Sequence, residues 1–396
     1  MDILRTISTA HFASQIEYLD PADRSLFRRP EPQFNLLVVG TGMIGREHIR
    51  VTYLEGRADI KGLYDTSSRS LTEALRMIED LRPGAEVRTY PSLSEACNDP
   101  EIDGIIICTP NYTHLEVLKT AVQSGKPILL EKPMATTLTD AQEILRLSAE
   151  YQSFVQVGLQ YRYKAIYRTA YDNLVGLRRI GELKTISISE HRIEFLDKVS
   201  QWNKFSRYSG GTLVEKCCHY FDLFNYFSGS KPTAVTAVGR RDTNYREFQR
   251  DGEKADILDS AFVTVEYENG IHANFSLCMF APMFHEEITL CGSAGRIHAF
   301  ETDDFLPGSG LETGFELRTT DGHPAVTSQV HYPAMIESSG HSGATFFEHI
   351  DFVERMLGHE TQSATVEEGY WSVVVGVAAE TAVREGRKVY IDELIG

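Results

Sequence analysis

The chain has 396 residues, 42% of them apolar, and a formal net charge of −17. That is enough for two cores and too apolar for global disorder, while so acidic a balance works against binding nucleic acid or an anionic membrane, both of which want a basic face. The six cysteines form no C-x-x-C pair and no regular framework, which points to reduced thiols and a cytoplasmic protein.

No apolar run is long enough to span a bilayer, and Arg28-Arg29 leads into PEPQFN rather than the apolar stretch of an export signal. Residues 1–33 read as a surface arm, or as one that clasps a neighbouring subunit. From Phe34 the pattern changes. FNLLVVG is a short Val/Leu run closed by glycine, which suits a strand buried on both faces. A helix is expected over 43–55, a strand over 59–65, a helix over 70–81, a strand end near 85–92 and a short helix from 93. DGIIIC is another apolar strand, followed by a helix that stops at Gly125, the strand PILL, a helix over 137–151 and the strand SFVQVG. Strands alternating with helices are the signature of a doubly wound parallel sheet.

After about Gln160 the rhythm is different. A helix is expected over 165–176. The stretches 181–193, 231–241, 260–280 and 286–300 alternate apolar and polar residues, as half-buried antiparallel strands do. ENG and SAG are hairpin turns, and two helical stretches, 343–358 and 369–386, close the chain. The expected fold is α/β. A doubly wound domain, read below as an NAD-binding Rossmann domain from its glycine fingerprint, spans 34–158. A substrate-binding and oligomerisation α/β domain with a large, mostly antiparallel open sheet spans 159–396, its last helix able to pack back on the first domain. Helices cover one face of that sheet. The other is an uncovered apolar face, too large a patch for a monomer, so a homodimer or homotetramer is expected.

Gly40-Thr-Gly42-Met-Ile-Gly45 is a G-x-G-x-x-G that follows an apolar strand and opens a helix, with Asp65 ending the next strand about 20 residues later. Gly40 permits the tight turn, Gly42 lets the backbone approach a pyrophosphate, and Gly45 lets helix and strand pack closely. Met43 and Ile44 belong to the same cofactor-binding turn. The pyrophosphate sits on unpaired N–H groups at the helix start. Asp65 accepts from the adenosine ribose hydroxyls and repels a 2′-phosphate, so NAD is preferred to NADP. Arg69, just beyond, is the residue that would accommodate a 2′-phosphate if the preference were reversed. Thr109, Pro110 and Asn111 lie just past one apolar strand, and Glu131 and Lys132 just past another, where ligands of such sheets bind.

With CTPNYTH, LLEKP, GLQYRY and GGTLVEKCCHYFD in this order, the sequence from about Asn35 onward resembles the glucose–fructose oxidoreductase/inositol dehydrogenase (Gfo/Idh/MocA) family. The resemblance implies an active site between a Rossmann domain and a C-terminal α/β domain, whose exposed sheet face packs on another subunit. It implies that Asn111 and His114 contact the nicotinamide half, Glu131 its ribose and Lys132 the substrate hydroxyl. Pro133 is similar to the family proline that often follows the lysine through a cis bond.

GGTLVEKCCHYFD reads as a glycine turn and a helix. Glu215 and His219 are four apart and share a face, with Asp222 one turn on. A carboxylate holding an imidazole makes a base for a hydroxyl proton. By resemblance His219, with Lys132, removes the alcohol proton, and Glu215 stands where the family has Asp. Lys216-Cys217 replaces the usual apolar residue and glycine: Lys216 is a substrate contact or a solvated helix residue, and Cys217 narrows the pocket floor. Arg162, Trp202, Asn203 and His341 are candidate substrate contacts. Cys217, Cys218 and His219 cannot converge on one ion from a helix, and no metal is expected.

The function expected is an NAD-dependent oxidoreductase acting on a secondary hydroxyl of a sugar, inositol or related polyol, with a small carbohydrate as its partner and neither nucleic acid nor membrane. The alternative is a redox-assisted glycosidase that oxidises C3 transiently and eliminates the aglycone. A non-catalytic NAD sensor fits less well, because a sensor has no need of Lys132 and His219.

Overall fold

The computed structural model describes residues 31–195, 197–307 and 309–396; the expected arm over 1–33 lies outside the described residues except for its last three. The chain folds as two units. Of the described residues, the first comprises those up to Glu131, then Glu150–Gln156 and Tyr332–Ser363; the second comprises those of Lys132–Ala149, Val157–His331 and Ala364–Gly396.

A six-stranded sheet is built from β1 (Phe34–Val39), β2 (Ala58–Tyr64), β3 (Arg88–Thr89), β4 (Gly104–Ile107), β5 (Ile128–Glu131) and β6 (Val155–Gly158), in the order β3-β2-β1-β4-β5-β6. The pairs β1–β2, β1–β4, β2–β3 and β4–β5 are parallel. β4 and β5 are buried at every position, as continuous apolar runs require when both faces of a sheet are covered. The register decides where the site lies. Val39 pairs with Tyr64 and with Ile107, and Ile107 with Leu130. The strand ends are therefore level, and Gly40, Asp65, Thr109 and Glu131 emerge along one carboxyl edge.

The core of the first unit joins Leu36, Val38, Ile60, Ile106 and Leu129 of the sheet to Ile49, Ala74 and Ile78 of the helices Met43–Glu55 and Ser68–Leu81. Phe352 and Val353 complete it. They come from the helix Ala344–Met356, which the sequence pattern grouped with the second domain. Phe352 is fully buried, and truncating such a ring costs roughly 3–5 kcal/mol, so this helix is integral to the first unit.

In the second unit, β7 (Leu183–His191), β8 (Pro232–Arg240), β11 (Ser260–Tyr267), β12 (His272–Cys278), β13 (Phe284–Gly292), β14 (Gly295–Asp303), β15 (Glu312–Thr319), β16 (Val326–Ser328) and β17 (Val389–Tyr390) form one sheet; β9 (Gln249–Arg250) and β10 (Glu253–Lys254) are a separate hairpin. The order is β16-β15-β14-β13-β7-β12-β11-β8-β17, antiparallel except for β12 on β7. Inward positions such as Ile186, Ile188, Val263, Phe275, Ile288 and Leu290 are buried beneath the helices Cys218–Ser228 and Val366–Glu385. The outward positions differ from the apolar face expected. They carry Thr264, Asn274, Ser276, Ser187, Ser189 and Thr289, with Val238 and Phe262 each 63% exposed. No described helix is long and apolar enough to cross a membrane.

Candidate active site

The glycine fingerprint is explained by contacts within the first unit. Gly40 has a φ of +89°, and a Cβ on it would lie 2.7 Å from the backbone of Cys108 and Thr109; a Cβ on Gly45 would lie 2.0 Å from the Gly40 carbonyl oxygen. No side chain fits either position. A Cβ on Gly42 would meet nothing within 4 Å, so there the glycine leaves open space beside the backbone, the room a pyrophosphate needs. Asp65 clasps the turn. Its Oδ2 accepts from the Thr41 N–H at 2.7 Å and hydroxyl at 3.1 Å, and its Oδ1 accepts from the Ser67 N–H at 2.8 Å. Oδ2 is thereby filled, and Oδ1 keeps acceptor capacity for a ribose hydroxyl. Arg69 is exposed and pairs with Glu73 at 2.9 Å.

Further along the edge, Pro110 leads into a short 3₁₀ turn, Asn111–Thr113. His114 is fully buried and its Nε2 lies 3.0 Å from the Thr109 carbonyl oxygen. Asn111 is buried, and its side-chain Nδ2 has no hydrogen-bond partner. An orphaned donor on this edge and the open space at Gly42 both fit a bound dinucleotide. Glu131 is buried at the end of β5 with its Oε1 2.9 Å from His48 Nε2. His341 belongs to the same unit. Its Nδ1 meets Glu47 Oε1 at 2.7 Å, and Thr345 donates to that oxygen at 2.6 Å. Burial works to raise the Glu47 carboxyl, but His341 and Thr345 more than offset it and hold it at about 2.

The second unit starts at Lys132, joined to Pro133 by a cis bond. Lys132 Nζ donates to the Glu215 carbonyl at 3.4 Å. Glu215 ends a single helical turn, Thr212–Glu215, entered through Gly210 and Gly211. Gly211 has a φ of +95°, and a Cβ there would lie 2.2 Å from Glu380 Oε1. That oxygen accepts from the Leu213 N–H at 2.8 Å; burial pushes the Glu380 carboxyl up to about 7.

The helix expected to carry Glu215 and His219 on one face is broken between them. The N–H groups of Lys216 and Cys217 both turn to the Thr212 carbonyl, at 3.0 and 3.2 Å, and a new helix begins at Cys218. Glu215 consequently faces Lys198, whose Nζ lies 2.6 Å from its Oε1. Burial would raise this carboxyl, but Lys198, Lys132 and Lys216 outweigh it and hold it below the usual carboxylate range. The His219 ring lies instead on Tyr161, with centroids 3.8 Å apart and planes within 6°. Stacking on Tyr161 holds its plane.

A layer of buried ion pairs surrounds this segment. Arg162 Nε and Nη2 donate to Asp222 at 2.7 and 2.6 Å, and Nη2 reaches Glu368 at 3.0 Å. Glu368 is held in turn by a capping box with Thr365 at the start of the last long helix. Asp222 and Glu368 keep the buried Arg162 charged, its pKa raised despite burial. Lys216 is buried and pairs with Glu190 at 2.8 Å; burial lowers its pKa, with Glu190 opposing. Lys164 pairs with Glu286 and Glu301, and the Tyr220 hydroxyl donates to Glu286.

The GFO_IDH_MocA oxidoreductase family model, with its NAD-binding Rossmann fold, matches residues 34–159, and the C-terminal alpha/beta domain of the same family matches residues 173–391. The chain belongs to this family. Among its relatives is the myo-inositol 2-dehydrogenase of Thermotoga maritima, 24% identical over 91% of this chain and 99% of that one. The fold is shared with scyllo-inositol dehydrogenase from Lactobacillus casei, solved with NAD(H) and scyllo-inositol (TM-score 0.69, 19% identity, 91% of this chain and 99% of that one). It is shared too with levoglucosan dehydrogenase in complex with NADH (TM-score 0.74, 18% identity, 90% and 99%).

Against this family frame the expected site residues sort by unit. Gly40, Gly42, Met43, Ile44, Gly45, Asp65, Thr109, Pro110, Asn111, His114 and Glu131 all belong to the carboxyl edge of the first unit. Lys132, Glu215, His219, Trp202 and Asn203 belong to the second unit, and Lys132 and Glu215 are brought together. Trp202 and Asn203 are buried around Lys198, whose Nζ lies 5.0 Å from the Trp202 ring centre and whose N–H donates to Asn203 Oδ1 at 3.4 Å. Two expected substrate contacts have other occupations: Arg162 holds Asp222 and Glu368, and His341 holds Glu47. Lys216 is neither solvated nor free, because Glu190 takes it. Cys217 is buried at the break between the two helical pieces. Sequence reasoning missed Lys198 and Tyr161. Tyr161 was within reach, since it lies in GLQYRY beside Arg162; consecutive residues of the 3₁₀ turn Gln160–Tyr163 point to different sides, and the reading followed Arg162.

Proposed function

We propose that this chain is an NAD-dependent dehydrogenase that oxidises a secondary hydroxyl of a sugar, inositol or related polyol in the cytoplasm. The observation that carries the reading is the pair Glu131-Lys132. The first ends β5 on the cofactor edge, and the next residue sends its ammonium to the backbone of the turn that precedes His219. NAD, when bound, supplies the hydride acceptor. Its pyrophosphate is held at Gly42 and the start of the Met43–Glu55 helix, its adenosine ribose at Asp65, and its nicotinamide half by Asn111, His114 and Glu131. Lys132 holds the substrate hydroxyl, and its charge favours the developing alkoxide. His219, its plane set by Tyr161, accepts the hydroxyl proton as the C–O bond becomes a carbonyl. Trp202 and Asn203 line the substrate side.

Absorbance at about 340 nm with a panel of inositols, pyranoses and 1,5-anhydro sugars tests the proposal: at least one polyol reduces NAD stoichiometrically. A panel with no NADH formation, but release of aglycone from an aryl glycoside, points to the redox-assisted glycosidase instead. NAD is preferred because Asp65 is already held toward the ribose position and Arg69 is turned to Glu73. Calorimetry is expected to give tighter binding of NAD than of NADP, and the reverse in Asp65→Ser. The outer face of the nine-stranded sheet, with Val238 and Phe262 exposed, supports a homodimer or homotetramer, which light scattering at micromolar concentration decides.

A further inference from the structure

Below the carboxyl edge, the first unit holds a buried group of which the proposed dehydrogenase uses only Glu131. His48, Glu131 and Glu348 are all buried, and one nitrogen or oxygen of each lies within 4.8 Å of the others. Behind His48 stands a chain of hydrogen bonds whose directions can be assigned. The Thr52 hydroxyl donates to the His48 carbonyl at 2.8 Å, so towards His349 Nδ1, at 3.4 Å, it accepts. His349 then carries its proton on Nδ1 and accepts on Nε2. His48 Nδ1, 2.7 Å from that Nε2, must donate. A neutral His48 therefore turns a bare Nε2 lone pair to Glu131 Oε1, 2.9 Å away. Two acceptors at that distance need something positive between them.

A proton there, making an imidazolium–carboxylate pair, satisfies His48 and Glu131 but leaves Glu348 untouched. Both Glu348 carboxylate oxygens are buried with no hydrogen-bond partner, an expensive state for a carboxyl in either protonation form. A divalent ion serves all three groups at once. We propose that His48 Nε2, Glu131 and Glu348 bind a divalent transition-metal ion, with zinc the best match to one imidazole and two carboxylates. At metal–ligand distances of about 2.0–2.2 Å, tetrahedral ligand atoms stand roughly 3.3 Å apart, so His48 and Glu131 separate by a few tenths of an ångström and Glu348 swings in. His349 and Thr52 form the outer support that a metal-binding imidazole needs on its other nitrogen. A fourth position is left for water. The three ligands are too far apart in sequence for any spacing motif to reveal them.

Protein isolated without chelator or affinity metal, desalted after exposure to zinc, manganese or magnesium, is measured by plasma mass spectrometry. About one zinc per chain is expected, with anomalous diffraction at the zinc edge placing it beside His48. Glu348→Gln, an isostere that keeps the packing, is expected to weaken zinc binding at least about 100-fold, as is His48→Gln. His298→Gln removes a surface imidazole beside Glu287 on the other unit and is expected to leave the tight site unchanged, which excludes adventitious surface binding. No retained metal, magnesium alone, or a Glu348→Gln variant that binds zinc as tightly as the parent overturns the proposal. NAD binding, measured separately by calorimetry on chelated protein, reports on the dehydrogenase reading and not on the ion.

Discussion

The carboxyl edge of the six-stranded sheet and the Gly210–Ser228 segment of the second unit were read from equally dense motifs, yet they differ in how the motif becomes geometry. On the edge, position follows from backbone pairing. Once β1, β2, β4 and β5 are parallel and in register, whatever follows each strand must emerge on one line. In the second segment, position depended on an unbroken helix, and a break of one residue turns Glu215 to Lys198. Sheet register is fixed by many pairs at once, whereas the phase of a helix is lost at a single slipped hydrogen bond.

The largest effect tests whether the second segment is nonetheless the chemical centre. Lys132→Ala and His219→Ala are each expected to lower turnover by about 10²–10⁴-fold, with NAD affinity by calorimetry nearly unchanged. If His219→Ala turns over normally, the Tyr161–His219 stack is packing only and the base lies elsewhere.

Arg162 separates a structural cation from a substrate contact. It is buried with Asp222 and also reaches the partly exposed Glu368, and removing one member of such a buried pair strands the other, at a cost of roughly 3–5 kcal/mol. Arg162→Ala is expected to lower urea-unfolding stability by that amount. An unchanged unfolding midpoint with a raised KM would return Arg162 to the substrate site.

These residues show why part of the site was legible and part was not. The fingerprint glycines and Asp65 were readable because each answers a local backbone demand: a turn, a close approach, the end of a strand. Lys132 was readable from its place after an apolar strand. Lys198 was not, because it reaches Glu215 from a segment with left-handed φ at Ser200 and Gln201, which no apolar period announces. The break at Lys216 was hidden for a related reason. A lysine on a helix usually faces water, and only the fold supplies Glu190 to hold it inside. Likewise the helix over 344–356 joins the first unit through Phe352 and Val353, a choice its amphipathic pattern does not encode.

Glu380 gives a smaller effect with a definite sign. Its carboxyl is raised to about 7 in the fold from an ordinary value of 4.5. Between those two pH values the folded state binds a proton that the unfolded state has lost, so stability falls as pH rises from about 4.5 to 7 and is level above. Gln keeps the oxygen that accepts from Leu213 and has no charge to bury. Glu380→Gln is therefore expected to be more stable than the parent at pH 8, by about 1–3 kcal/mol, and nearly equal to it at about pH 4, below the ordinary carboxylate value. A difference that stays constant across that range would mean that the carboxylate is ionised in the fold throughout.

The smallest effect bears most directly on the contrast between the two regions. If Glu215 supported the imidazole, Glu215→Gln would lower the apparent pKa of the acidic limb of the pH–rate profile, because a neighbouring carboxylate raises that of a histidine. The geometry gives it another task. Its carboxylate faces Lys198 and is held ionised by three lysines, while its backbone carbonyl, which Gln retains, receives Lys132. Glu215→Gln is expected to reduce turnover only a few-fold, about 1 kcal/mol for one altered hydrogen bond, and to leave the acidic limb in place. Lys198→Met removes the same pair from the other side and is expected to match it. A limb displaced downward by about a unit in Glu215→Gln, but not in Lys198→Met, would show that the two helical pieces align during turnover and that Glu215 and His219 then share a face.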